Sequence, residues 1–276
     1  MSFLDTDFDQ VSYRGRHGAV EASIARPRGA GPFPAVLLLH EGIGVTKHVL
    51  ALASRFAREG YVALVPDLYT RDLARRQLVE DEVTRALPLL RAPDREQQLA
   101  RLPWHDQESA RRVISWFSSR NTDTYFDDAE ATITYLKRHA QVLPHALASV
   151  GFSLGGGLSG QLAASGADLA AGVIFYGTGP ALSEIANVRY PLQGHYAEHD
   201  PLTAQVEGLD AALHAARKSF SYSIYPGTAH GFCNDSRPSY DRGAAQLSFQ
   251  RTLKFLNEHL AVSTKPARRD AQRAVS

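Results

Sequence analysis

The sequence predicts an α/β fold: a mostly parallel, eight-stranded sheet flanked by helices. Three observations carry this. Short aliphatic runs alternate with stretches of helical periodicity, as in parallel strands joined by crossover helices. Several runs are apolar throughout, without the alternation of a strand that faces water on one side. One run ends in Gly151-Phe152-Ser153-Leu154-Gly155-Gly156-Gly157, a sharp glycine-rich turn from strand into helix.

The elements follow in chain order. Residues 11–26 read as two strands around a turn at 15–18. Residues 34–40 are a buried strand of near-continuous aliphatics, and 47–59 have helical spacing that stops at Gly60. A strand follows at 61–66. Residues 126–139 form a helix with Asp123 or Asp127 as its cap. Strand 146–152 feeds the glycine-rich turn, and helix 154–165 leaves it, rich in small residues that let it lie close to the sheet. Strands at 171–176, 191–196 and 220–225 and helices at 202–218 and 244–260 complete the pattern.

Between them, residues 71–120 are charged, partly helical and interrupted by Pro88, Pro93 and Pro103. We expect a cap or insertion at the carboxyl ends of the strands, where ligands of open α/β sheets bind. The reading is one domain over 1–263 and a polar, basic, disordered tail over 264–276.

Bulk composition excludes several classes. The chain has 276 residues, 44% hydrophobic and 21% charged, enough for a sizeable core. Lysine plus arginine number 30 against 29 acidic residues, so nothing marks a nucleic-acid or anionic-membrane partner. One cysteine, Cys233, excludes an internal disulfide and a cysteine-based zinc site. No apolar run approaches the ~20 residues that span a bilayer. The first seven residues lack the basic-then-apolar order of a signal peptide, so the expectation is a cytoplasmic enzyme.

The chemistry centres on the turn. Gly151-Phe152-Ser153-Leu154-Gly155 is G-x-S-x-G, a nucleophile elbow that cramps the serine backbone and presents its hydroxyl. A serine hydroxyl needs a base to take its proton, and the base needs an orienting acid. On this kind of turn the chain order is Ser, acid, His. Asp200 follows strand 191–196 and is the acid, with Glu198 a poor second. His230 is the sole histidine between the last strand and the last helix, and is the base. The oxyanion donors would be the backbone N–H groups of Leu154 and of Gly42, in the loop after strand 34–40.

Each residue has a plainer reading. The turn could bind an anion at a helix N-terminus, though the fuller dinucleotide pattern and a Walker lysine are absent. Asp200 could cap the next helix, and His230 could be an ordinary surface histidine. A metal site from His40, Glu41, His195 and His199 would need helical spacing in a segment that reads as strand and loop. No cofactor is required. Trp104, Trp116 and Phe232 are candidates for the pocket wall, against the commoner fate of aromatics as core.

Together, Leu39-His40-Glu41-Gly42-Ile43-Gly44, Val62-Ala63-Leu64-Val65-Pro66-Asp67-Leu68-Tyr69, the elbow, Glu198-His199-Asp200-Pro201 and Tyr225-Pro226-Gly227-Thr228-Ala229-His230-Gly231-Phe232 resemble the dienelactone hydrolase family of α/β-hydrolases, over residues 34–260. The resemblance implies the α/β-hydrolase fold and cleavage of a small-molecule ester or lactone. It also implies that Glu41 contacts the nucleophile in the resting state. Two positions depart from the family. The best-known members carry cysteine at the elbow, where this chain has Ser153. The arginine that holds a substrate carboxylate after the catalytic histidine is here Asn234, with Arg237 close by. Thioesterase activity on the same fold, or a binding protein without turnover, are the alternatives; a peptidase would carry an additional gating domain.

Overall fold

A computed structural model describes residues 7–90 and 92–260. The tail expected over 264–276, the first six residues and the last three of the expected domain lie outside them.

The chain opens with a hairpin, β1 (Asp7–Gly15) and β2 (Gly18–Arg26), paired antiparallel up to Gly15 opposite Gly18. Next come β3 (Phe33–Leu39), α1 (Lys47–Arg58) and β4 (Val62–Pro66). Thr46 caps α1 by accepting the Val49 N–H, and the chain leaves it through Gly60 at φ 92°. The segment after β4 holds four helices, α2 (Leu73–Arg76), α3 (Glu80–Ala86), α4 (Arg95–Ala100) and α5 (Trp104–Ser119), with a 3₁₀ turn at Leu87–Leu90. Then follow α6 (Asp123–Arg138), β5 (Val142–Phe152), α7 (Leu154–Ser165), β6 (Ala171–Phe175) and β7 (Leu192–His199). The last elements are α8 (Val206–Ala215), β8 (Phe220–Ala229) and α9 (Arg242–His259).

The eight strands form one sheet in the order β1-β2-β4-β3-β5-β6-β7-β8, antiparallel in its first two pairings and parallel from β4 onward. Each face of the sheet supports its own core. Ala35, Leu37 and Leu39 of β3 point toward α6, α7, α8 and the inserted helices; Val36 and Leu38 point toward α1 and α9. Burial on both faces explains why β3 is apolar throughout. Full burial of Leu37 or Leu38 contributes roughly 1.5–3 kcal/mol relative to exposure.

Several elements differ from the expectation. β5 begins at Val142 because it pairs with Phe33 through a register shift, although Pro144 and His145 are exposed and do not read as strand. β8 runs through Pro226 and Gly227 to Ala229, because β7 also runs on and His199 pairs with Ala229. β8 is an edge strand, where proline removes no ladder bond that is needed. The helix expected from 202 begins as a 3₁₀ turn, Pro201–Gln205. Neither Asp123 nor Asp127 caps α6. The cap residue is Thr122, the Asp123 N–H donates to Asn121 Oδ1, and Asp127 bonds His17 in the β1–β2 turn.

Candidate active site

Ser153 stands between β5 and α7 with φ 53° and ψ −109°. A non-glycine residue held there stores of order 1–3 kcal/mol, so its surroundings must enforce it. The Ser153 N–H donates to the Phe175 carbonyl of β6 at 2.9 Å. The flanking glycines are required by space. A Cβ on Gly151 would fall 1.9 Å from the Gly155 carbonyl oxygen, and one on Gly155 would fall 2.2 Å from that of Leu39. The motif therefore records how closely α7 crosses the ends of β5 and β3.

Asp200 follows β7 directly and His230 follows β8 directly. His230 Nε2 lies 2.9 Å from Ser153 Oγ, and His230 Nδ1 lies 2.6 Å from Asp200 Oδ2. An ionised carboxylate only accepts, so Nδ1 carries the proton and Nε2 is left to accept from the serine hydroxyl. Asp200 Oδ1 accepts the Leu202 N–H at 3.1 Å. The capping role and the histidine-orienting role are thus filled by different oxygens of one side chain, which is buried. Ser239 donates to the His230 carbonyl at 2.9 Å, and the imidazole packs against the Tyr176 ring. Glu198, the second acid candidate, instead accepts the Gly227 N–H.

The loop after β3 turns over Glu41–Gly44, closed by Gly44 N–H to the Glu41 carbonyl at 3.0 Å, with Gly44 at φ 92°. Tyr69 donates its hydroxyl to the Gly42 carbonyl at 2.8 Å, and Arg75 Nη2 donates to that of Ile43 at 2.5 Å. His40, fully buried, accepts the Leu68 N–H at Nε2 and therefore donates from Nδ1 to the Glu41 carbonyl. Burial holds its pKa below the ordinary histidine value, consistent with a neutral ring. A Cβ on Gly42 would meet the Phe117 ring of α5 at 3.4 Å. Among the described residues the N–H groups of Gly42 and Leu154 have no hydrogen-bond partner, and that of Leu154, first in its helix, has none to find within the helix.

The structure revises the roles expected for other residues. Glu41 is buried, and its hydrogen-bond partners are Asn234 Nδ2 at 2.8 Å and Arg237 Nη2 at 2.9 Å rather than Ser153. Phe232 is fully buried between Tyr176 and Tyr225, so it supports the site from the core and does not wall the pocket. Trp116 is buried and donates to Asp72 Oδ2, pinning α5 to α2, whereas Trp104 is 76% exposed. Both ring nitrogens of His40 and of His195 have protein partners. Among the described residues no group of three metal-ligating side chains exists. Sequence reasoning missed Tyr176, whose φ of 37° ends β6 beneath His230, and the Tyr69, Arg75 and Phe117 contacts to the loop after β3. All join residues far apart in sequence, which no local motif marks. A cavity of about 500 Å³ lies within the inserted helices, lined by residues such as Leu89, Leu102 and Ala110 and by no residue of the Ser153 cluster.

Comparison with known proteins places the chain in a family. The family model for the dienelactone hydrolase family matches residues 20–260. The chain belongs to that family. A "Putative carboxymethylenebutenolidase" of Saccharolobus solfataricus is 28% identical over 255 residues, covering 90% of this chain and 97% of the relative. An Escherichia coli K12 protein of the same description is 29% identical over 248 residues, covering 85% and 81%. The crystal structure of a "Putative Dienelactone Hydrolase" from Klebsiella pneumoniae subsp. pneumoniae MGH 78578 superposes with a TM-score of 0.71 at 25% identity, over 92% of this chain and 99% of that one. The fold is that of the α/β-hydrolases, and the family is one of hydrolases acting on carboxylic esters and lactones. No helix among the described residues is long and apolar enough to cross a membrane.

Proposed function

We propose that this member of the family is a serine hydrolase that cleaves a small carboxylic ester or lactone through an acyl-enzyme. The observation that carries the reading is the continuous relay from Ser153 Oγ through His230 to the buried Asp200 carboxylate, at 2.9 and 2.6 Å.

Ser153 Oγ attacks the ester carbonyl carbon as His230 Nε2 takes the hydroxyl proton. Asp200 holds the imidazole in the required tautomer and stabilises the imidazolium. The carbonyl electron pair moves to oxygen, where the Leu154 and Gly42 N–H groups receive the developing charge. Collapse expels the alkoxide, which takes the proton from His230. Water then adds to the acyl-enzyme by the same steps, releasing the acid and restoring Ser153. With serine at the elbow, activation rests on His230 rather than on thiolate formation. The inserted helices contribute the wall beside Gly42, through Phe117.

The test is fluorophosphonate labelling, located by peptide mass spectrometry, beside p-nitrophenyl acetate turnover by wild type and Ser153→Ala. Labelling at Ser153 and loss of turnover in the folded variant are expected. Substantial activity in Ser153→Ala would overturn the assignment. Absence of both labelling and turnover in wild type would favour a binding protein. A thioester cleaved faster than its oxygen ester would move the substrate class while leaving the relay in place.

A further inference from the structure

The loop carrying Gly42 and the loop carrying His230 are not neighbours in the sheet. The first leaves β3 and the second leaves β8, with β5, β6 and β7 between them. The Gly155 N–H ties the first loop to the elbow by donating to the His40 carbonyl at 3.2 Å, but no strand pairing joins it directly to the histidine loop, and acyl transfer needs the oxyanion donor, nucleophile and base in one geometry.

Side chains bridge that gap. Glu41 Oε2 accepts from Asn234 Nδ2 and from Arg237 Nη2, both on the histidine loop. Asn234 Oδ1 is held by the backbone and hydroxyl of Ser236, at 3.0 and 2.7 Å, which fixes its amide with the nitrogen toward Glu41. A second tie runs parallel: His48, at the start of α1, bonds Asp235 at 3.0 Å. Glu41 is 5% exposed, and a carboxylate withdrawn that far from water persists when charge and hydrogen bonds compensate it. A buried ion pair of this kind gains little net stability. Unmatched polarity concentrates here too. Arg237 Nε and His48 Nε2 are buried without a hydrogen-bond partner, so the cluster is not arranged for maximal stability.

We propose that Glu41 is a positioning residue, locked by Asn234 and Arg237, that sets the place of the adjacent Gly42 N–H relative to Ser153 and His230. This rests on the reading of Ser153 as nucleophile and Gly42 as oxyanion donor. Glu41 acts through the two loops and has no hydrogen bond to the nucleophile.

The test compares p-nitrophenyl acetate kinetics of wild type, Glu41→Ala, Glu41→Gln and Asn234→Ala, with thermal melts to establish folding. Glu41→Ala is expected to lower kcat about 10²-fold with KM within about threefold, the signature of a lost transition-state interaction. Glu41→Gln keeps an acceptor oxygen for Asn234 and Arg237, and should return kcat to within about tenfold of wild type. If Glu41→Ala does not fold, Asn234→Ala, which removes one donor of the bridge, should still lower kcat by about tenfold at unchanged KM. Wild-type kcat in Glu41→Ala, or Glu41→Gln as slow as Glu41→Ala, would overturn the proposal; the latter would mean that the charge itself takes part in the chemistry. Loss of turnover in Ser153→Ala alongside unimpaired Glu41 variants would remove the positioning role alone. Retained turnover in Ser153→Ala would remove the underlying reading.

Discussion

Replacing Asp200 by asparagine isolates the role proposed for this carboxylate, because the change is nearly isosteric. The carboxylate accepts from two donors at once, His230 Nδ1 at 2.6 Å and the Leu202 N–H at 3.1 Å. An amide can satisfy one arrangement or the other. With its oxygen toward Leu202, its NH₂ faces Nδ1, which must then lose its proton. The proton moves to Nε2, which can no longer accept from Ser153. With its oxygen toward Nδ1, the tautomer survives but NH₂ opposes the Leu202 N–H in a buried place. That costs about 1–3 kcal/mol and still removes the charge that stabilises the imidazolium. Both arrangements impair proton transfer, and the first abolishes it. The expected fall in kcat is about 10⁴-fold, or roughly 5.4 kcal/mol in the barrier. The assay is steady-state p-nitrophenyl acetate hydrolysis with circular dichroism as the folding control. A folded Asp200→Asn protein within tenfold of wild-type kcat would refute the relay.

Four further outcomes follow from packing and burial. Gly155→Ala forces a Cβ to within 2.2 Å of the Leu39 carbonyl and should cost about 3 kcal/mol or more. Gly208→Ala on α8, where nothing lies within 4 Å, should instead add about 0.5–1 kcal/mol; urea midpoints decide both. Burial pushes the His195 pKa down to about 3. The unfolded chain binds that proton near pH 6.5 and the folded chain does not, so this residue should erode stability as pH falls from about 6.5 toward 3, by up to about 1.4 kcal/mol per pH unit. In His195→Gln the pH slope of the urea midpoint over that window should be shallower. Cys233 is buried beside Ser248, and burial raises its thiol pKa, so an aromatic disulfide reagent should react with it only after unfolding.

The fold was legible because burial on both sheet faces leaves continuous aliphatic runs, and these located β3, β4 and β6 closely. The edge strand was legible only in part. β8 continues through Pro226 and Gly227 because its partner β7 is long, and that pairing is written in neither segment alone. Ser153, Asp200 and His230 could be found from order and local turn chemistry, and the structure brings all three together. The partners of Glu41 were not readable. Asn234 and Arg237 lie some two hundred residues away, on the loop after β8, a strand that does not touch β3. Phe232 shows the limit of position as a guide: it lies two residues past His230 in sequence, yet its ring turns inward.

The outermost strand leads directly into His230, the proposed base. β8 is paired on one side only, and most of its residues remain partly or fully exposed, whereas β5, which delivers Ser153, is enclosed by β3 and β6. Local opening begins at such margins, well before global unfolding. Withdrawal of His230 would silence the enzyme while the core stayed intact. Catalysis should therefore fade at denaturant concentrations that leave the centre of the sheet untouched, and amide exchange should be faster along β8 than along β5. Turnover in this molecule is a gauge of how firmly its margin is fastened.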